Sequence, residues 1–396
     1  MNGPFFSVVI PTRNRPAYLR EAVASVLMQD FDSFECIVSD NFNDASTRLA
    51  IDDFTDERLR YYRTQTLLNM MEHWEFATLK ATGEFVIVLA DRKLLFQGAL
   101  RRLRSELFRH QSVRAFSVGV SVFDEARGRM GWRPRQRGSG FYESVNLIQD
   151  FLTVNVFSQE SMDPVFPKTL NGGYHRSLAE DARKRTGHYF DNAGVTTPDF
   201  SSFFINCALE PRILHVGTRL ILTQGEADSN GRRFGTGDTT EYMRLLGRED
   251  PYKGVPLKIP FIYNLLMVDY LAIQGLYGGN LTSLTPDWES FFRTLRAEFQ
   301  LKAGAGASDE ALGQWLSSWR GACERVLGPQ KAKEIERSSK EPAPASSGTL
   351  LEHLRDFINH RFSHWPAVNR VMRHRFNSAL EAAGFDPVAP MASRRP

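Results

Sequence analysis

The residues best placed for chemistry stand where an apolar run stops. Gly83-Glu84-Phe85-Val86-Ile87-Val88-Leu89 leads into Ala90-Asp91-Arg92-Lys93, one carboxylate followed by two cations. If the run is a buried strand, Asp91, Arg92 and Lys93 arrive at its C-terminal end, where open α/β sheets bind their ligands. A hard divalent cation wants several oxygen ligands and gains little beside positive charge, so one carboxylate flanked by Arg92 and Lys93 suits it poorly. A guanidinium and an ammonium can instead neutralise a diphosphate themselves.

The elements that would position these groups can be read in order. Phe5 to Ile10 is a buried strand broken by Pro11-Thr12-Arg13-Asn14-Arg15-Pro16, and an amphipathic helix follows with Leu19, Ala22, Val23, Val26 and Leu27 on one face. Phe34 to Asp40 is a second buried strand ending on a carboxylate, which completes a right-handed βαβ unit. The polar stretch from Asn41 to Thr47 reads as a loop, Leu59 to Arg63 as a third strand and Leu68 to Ala81 as a helix ended by Thr82-Gly83. After a helix from Ala99 to Phe108 the pattern turns to β, with alternation from Arg114 to Phe123 and a hairpin-like stretch from Arg127 to Gly140. Thr196-Thr197-Pro198-Asp199 opens a helix over Phe200 to Leu209, fixing the Asp199 carboxylate at a helix N-terminus near the loop ends. Ile213 to Leu222 is a further strand. Gln224 to Gly237 is a polar loop in which Arg232 and Arg233 could reach a phosphate.

Beyond Glu249 the chain is mainly helical. The domain reading is an α/β domain over 1–245 (5–110 one half, 111–245 the other), a helical extension over 246–329, a linker over 330–348 by its Lys/Glu and Pro/Ala/Ser composition, and basic amphipathic helices over 349–386. Those last helices have three candidate uses: packing on the chain's own core, forming a homodimer, or peripheral contact with an anionic membrane.

Composition excludes several classes. A net charge of +3 over 396 residues gives no general case for nucleic-acid binding. Cys36, Cys207 and Cys323 are far apart and form no metal pattern, and Cys36 inside an apolar run reads as a small buried hydrophobe. The start of the chain lacks the basic and apolar regions of a signal peptide, and no stretch reaches the ~18 apolar residues of a membrane span. The expected location is cytoplasmic, with peripheral attachment to the inner face of the membrane as the alternative.

Taken together, Ser7-Val8-Val9-Ile10-Pro11-Thr12-Arg13-Asn14-Arg15-Pro16, Leu27-Met28-Gln29, Ile37-Val38-Ser39-Asp40 and Gly83-Glu84-Phe85 resemble the N-terminal half of inverting glycosyltransferase family 2, which has the GT-A fold. The resemblance is strong over residues 5 to 110. It implies an α/β, Rossmann-like, mostly parallel sheet flanked by helices, and a nucleotide-sugar donor held by Pro11, Thr12, Arg13, Asn14 and Asp40, with Asn41, Asp44 and Asp91 beside them. It implies a saccharide or lipid-linked saccharide acceptor and a place in bacterial polysaccharide assembly. Family members usually carry Asp-x-Asp for a divalent metal, but the aligned positions here are Ala90 and Arg92. The expectation is therefore no metal, with Arg92 or Lys93 as the electrophile and Mn²⁺ or Mg²⁺ through Asp91 as the alternative. Inverting transfer needs a general base. Asp199 is preferred over Asp181 of the Glu180-Asp181 pair, because Asp181 lies in a charged helical stretch with bland ion-pair alternatives. A nucleotidyltransferase on the same fold, or a non-catalytic nucleotide- or sugar-binding relative, stands as the competing function.

Overall fold

Seven consecutive buried residues, Phe6–Thr12, form the strand β1 on which the first half of the sheet is built. The computed structural model describes residues 3–42, 44–132, 138–153, 166–224, 240–304, 307–338 and 378–385. After β1 come α1 (Pro16–Leu27), β2 (Phe34–Asp40), α2 (Ser46–Leu49), β3 (Leu59–Arg63), α3 (Met70–Thr78), β4 (Phe85–Val88), β5 (Lys93–Leu95) and α4 (Ala99–Arg109). The second half adds β6 (Ala115–Asp124), β7 (Arg129–Trp132), β8 (Gly140–Glu143), α5 (Ser144–Thr153), β9 (Gly172–His175), α6 (Arg176–Thr186), α7 (Pro198–Leu209) and β10 (Arg212–Thr223). The strands form one sheet in the order β3-β2-β1-β4-β9-β6-β10-β5, with β7 on β6 and β8 on β10. β1, β2, β3 and β4 run parallel, as do β6 and β10, whereas β9 is antiparallel to both β4 and β6. This is the expected GT-A arrangement of a Rossmann-like half joined to a mixed half.

Alternation along the strands supplies both faces. Phe6, Val8 and Ile10 point with Cys36, Val38 and Ile87 toward α1 and α4, whereas Val9, Ile37, Val86 and Val88 join the core beneath α3, α5, α7 and the later helices. All three cysteines are free and buried, and desolvation raises the Cys36 thiol pKa. Strand β9 escapes the sequence reading because its first two residues are glycines, which disfavour strands. Glycine is required there. A Cβ on Gly172 would come within 2.0 Å of the Phe116 carbonyl oxygen, and one on Gly173 within 2.5 Å of that of Val86.

The helical extension comprises α8 (Thr240–Leu246), α9 (Ile262–Tyr277), α10 (Trp288–Gly304), α11 (Asp309–Leu327) and α12 (Pro329–Ser338), followed by the short α13 (Ala379–Ala382). The apolar run from Gly83 forms β4, and a turn closed by Lys93 N–H to Ala90 C=O (2.8 Å) follows it, with Asp91 and Arg92 at its centre. One expectation is corrected. The stretch read as a linker opens as helix α12, whose Ala332 and Ile335 are buried; its polar composition describes only the outer face of that helix. The basic helices read over 349–386 lie outside the described residues except for 378–385. Of these, Ala379, Ala382, Ala383 and Phe385 pack on Leu94, Phe123 and Leu222 of the sheet. No helix among the described residues is long and apolar enough to cross a membrane.

Candidate functional site

Parallel pairing in register brings the C-terminal ends of four strands to one edge. Thr12 lies opposite Asp40, and Asp40 opposite Arg63, while β4 hands the chain to Asp91 just beyond its end. Asp91 and Arg92 are the two central residues of the turn that separates β4 from β5. The Asp91 carboxylate is buried and accepts from Thr12 Oγ1 (2.9 Å) and Arg15 Nη1 (3.2 Å). Burial raises its pKa, and Arg15, Thr12 and Arg92 oppose that shift. Asp40 is also buried, and Tyr61 OH donates to its Oδ2 at 2.8 Å.

Above these two carboxylates the edge is basic. Arg13, Arg15 and Arg92 are half-buried, Arg63 is exposed, and Phe42, 49% exposed, lies beneath the Arg63 guanidinium. Asn14 is exposed and left-handed (φ 59°), which turns the loop so that Arg15 comes back to Asp91. Pro11 is buried as part of β1. An anion approaching this edge meets the guanidinium groups of Arg13, Arg15, Arg63 and Arg92, while Asp40 and Asp91 are buried.

Several expected site residues have other attachments. Both ends of the Asn41 side-chain amide are hydrogen-bonded to Leu68, Nδ2 to its carbonyl (2.9 Å) and Oδ1 from its N–H (2.9 Å), so Asn41 pins the loop that begins α3. Asp44 is exposed and accepts from the Ser46 N–H at 2.9 Å; hydrogen bonds from the Ser46 side chain and then its N–H lower the Asp44 pKa. The reading of Lys93 as an electrophile is corrected: its buried ammonium donates to Leu170 O (2.9 Å) and Asn171 Oδ1 (3.0 Å), holding the Thr169–Asn171 turn against β5. Arg92 is half-buried, and its Nη1 donates to Gln224 O in a long 3.4 Å bond.

That turn leads to Asp199. Thr169 N–H donates to Ser202 Oγ at 3.1 Å, and Ser202 Oγ donates to the Asp199 carbonyl at 2.7 Å. Asp199 lies half-buried in the first turn of α7. Through this turn the start of α7 is connected to Lys93 of β5, which directly follows Asp91 and Arg92. Asp181 lies elsewhere. Arg114 Nη1 reaches it at 2.6 Å, and Arg114 immediately precedes β6, placing the pair with Glu210 at the opposite edge of the sheet. The Arg114 hydrogen bond lowers the Asp181 pKa. Its neighbour Glu180 pairs with Arg176 at 3.3 Å. The ion-paired helix face is therefore the structure's assignment for Glu180 and Asp181.

Sequence reasoning passed over Arg15 and Asp269. Arg15 stands inside the quoted loop, but its contact depends on the backbone reversal at Asn14. Asp269 is a lone acid in the apolar run Leu265 to Leu271 of α9, and that isolation was its signal. It is fully buried, and desolvation raises its pKa to about 7 against the pull of its bonds to Thr197 and Thr196. The loop carrying Arg232 and Arg233 lies outside the described residues.

Asp91 is the single carboxylate of the β4 turn, and both its oxygens already accept from Thr12 and Arg15. Among the described residues no group of three His, Cys, Asp or Glu could hold a metal ion.

Comparison with known proteins adds the following. Residues 7–156 match the family described as Glycosyl transferase family 2. The GalNAc(5)-diNAcBac-PP-undecaprenol beta-1,3-glucosyltransferase of Campylobacter jejuni is 35% identical over 103 residues, covering 25% of this chain and 33% of that protein. Protein CgeD of Bacillus subtilis is 25% identical over 199 residues, covering 48% of this chain and 42% of that protein. The chain thus spans less than half the length of these curated relatives. Among solved structures, S. aureus TarS 1-349 in complex with UDP-GlcNAc aligns over 84% of this chain and 90% of that chain, with 13% identity and a TM-score of 0.49.

Proposed function

We infer, from the match of residues 7–156 to Glycosyl transferase family 2, that the protein transfers a sugar from a nucleoside diphosphate donor to a saccharide, with inversion. The observation that carries the reading is the basic edge: Arg13, Arg15, Arg63 and Arg92 at the ends of β1, β3 and β4, over the buried Asp40 and Asp91. In the proposed reaction an acceptor hydroxyl oxygen attacks the anomeric carbon and the bond from that carbon to the diphosphate oxygen breaks. The hydroxyl proton passes to the Asp199 carboxylate, and the nucleoside diphosphate leaves with its electron pair. Arg92 and Arg15 stabilise the charge developing on the leaving oxygen, the part that a metal would otherwise take. Lys93 serves by holding the turn that connects Arg92 to the α7 N-terminus. Phe42 and Arg63 flank the end of β2, where the nucleoside is expected. A lipid-linked acceptor is supported by the name of the Campylobacter relative, which includes a diphosphate-undecaprenol saccharide.

Incubation with a panel of nucleotide sugars, with and without EDTA, tests this. Transfer or hydrolysis that persists in EDTA is expected. Full dependence on Mn²⁺ or Mg²⁺ would overturn the metal-free part. The replacement of both Asp-x-Asp positions by Ala90 and Arg92 favours one second reading, a nucleotide-sugar-binding relative without catalysis. Nucleotide binding with no turnover under any metal condition would establish it.

A further inference from the structure

We propose that Asp269, on helix α9 of the extension, is the positioning residue for the loop that presents Asp199. This rests on the reading of Asp199 as the base. The geometry concerns two consecutive residues immediately before α7. Oδ1 of Asp269 accepts from the Thr196 N–H and from Thr196 Oγ1 (2.8 Å), and Oδ2 accepts from the Thr197 N–H (2.9 Å) and from the Thr197 hydroxyl. Four donors thus converge on one buried carboxylate, within the acceptor capacity of its two oxygens. On its other side Thr196 is held by Tyr242 of α8, whose hydroxyl donates to the Thr196 carbonyl.

The arrangement replaces ordinary capping. Thr197 is the N-cap residue of α7, yet its side chain makes no bond to its own helix and is turned to Asp269 instead. Pro198 follows with no N–H and a restricted φ. Once Thr196 and Thr197 are fixed by Asp269, the direction in which Asp199 leaves the loop is fixed as well. Asp269 lies more than a hundred residues beyond the matched family segment, so the extension has a part in setting the base rather than only enlarging the core.

The experiment compares Asp269→Asn and Thr197→Val with Glu298→Gln and Thr197→Ser. Glu298 is a buried carboxylate that accepts the Ile262 and Tyr263 N–H groups at the start of α9, and so controls for loss of a helix-start carboxylate elsewhere. In Asp269→Asn, kcat for transfer is expected to fall about 10- to 100-fold, the scale for a misplaced reacting group. The donor KM should stay within about twofold. Amide exchange over residues 196–203 should accelerate about tenfold or more, while β1 and β2 keep wild-type protection. Thr197→Val, which removes one donor only, gives a smaller loss of kcat if Asp269→Asn does not fold. Thr197→Ser, which keeps the hydroxyl, restores wild-type kcat, and Glu298→Gln leaves kcat within about twofold. A folded Asp269→Asn protein with wild-type kcat, or with unchanged exchange over 196–203, overturns the proposal. If the wild-type protein turns over no nucleotide sugar, the enzyme reading fails, and the exchange measurement still decides whether Asp269 holds the loop.

Discussion

The two sides of the candidate site are built in different ways. On the side proposed for the donor, Thr12, Asp40, Arg63 and Asp91 come together because neighbouring parallel strands end in register, with Thr12 donating to Asp91 and Tyr61 to Asp40. On the side proposed for the base, the start of α7 is held by groups remote in sequence: Asp269 of α9, which binds Thr196 and Thr197, and the Lys93-held Thr169–Asn171 turn. Glu75 of α3 works in the same manner further back. It accepts the Tyr189 and Phe190 N–H groups (2.8 and 2.6 Å) and pairs with Arg183 at 2.7 Å, tying the 187–197 loop to the donor half. Strand register is robust to single side-chain changes, whereas a loop held by buried carboxylates depends on each of them. Damage on the donor side should therefore appear in affinity, and damage on the base side in turnover.

The strongest break in that contrast is Asp199→Asn. Turnover is expected to fall about 10²- to 10⁴-fold, the usual contribution of a general base, with nucleotide affinity by calorimetry unchanged. A parallel loss of affinity would mean the two sides are not separable. Arg92→Ala should do the reverse at smaller scale, weakening nucleoside diphosphate binding about 10- to 100-fold through loss of a charge-assisted bond while sparing the nucleoside alone. Equal loss for both ligands would place Arg92 away from the diphosphate.

A pH dependence of stability should come from two buried carboxylates, one of which holds the loop before Asp199. Asp269 and Glu298 have pKa values raised by burial to about 7, above the values of the unfolded chain. The native state therefore binds protons more tightly between about pH 4 and 7, and this stability is full at the low end and lost as pH rises through 7. Thermal melts should show a higher midpoint at pH 5 than at pH 8, with a smaller difference in Asp269→Asn. An identical slope in that variant would assign the effect elsewhere. The smallest effect is expected from Asp181→Asn, whose partner Arg114 is partly exposed at the far edge. Turnover should stay within about twofold and stability within about 1 kcal/mol. A collapse of turnover would restore Asp181 to the site.

The same contrast explains what could be read from the sequence. Buried runs ending in Thr12, Asp40 and Asp91 announce both the strands and the groups at their ends, because strand order and residue order coincide there. The Pro-Asp start of α7 was legible for a similar local reason. Lys93 was misread because charge pattern cannot show that an ammonium will be buried against the Leu170 carbonyl, 77 residues away in sequence. Asn41 was misread because an amide that matches a backbone N–H and C=O looks, in sequence, like any polar loop residue. The Glu180-Asp181 pair required its partner Arg114 to be known before its face of α6 could be assigned. Helix α12 was hidden by composition, since Ala332 and Ile335 are few among the charges that cover its outer side.

Strand β9 has a consequence for how the molecule assembles. It is four residues long, and the path from β4 to β6 in the sheet passes through it. The N-terminal βαβ half can form from contacts between neighbouring elements. Its union with the β6–β10 half must wait for residues 172–175, which pair with positions nearly 60 or 90 residues earlier. Such non-local closure is slow and comes late in folding. The bare backbone of Gly172 and Gly173 is what lets this segment fit between β4 and β6. A chain stalled before that step would expose two raw sheet edges, which makes this seam the point where folding and aggregation compete.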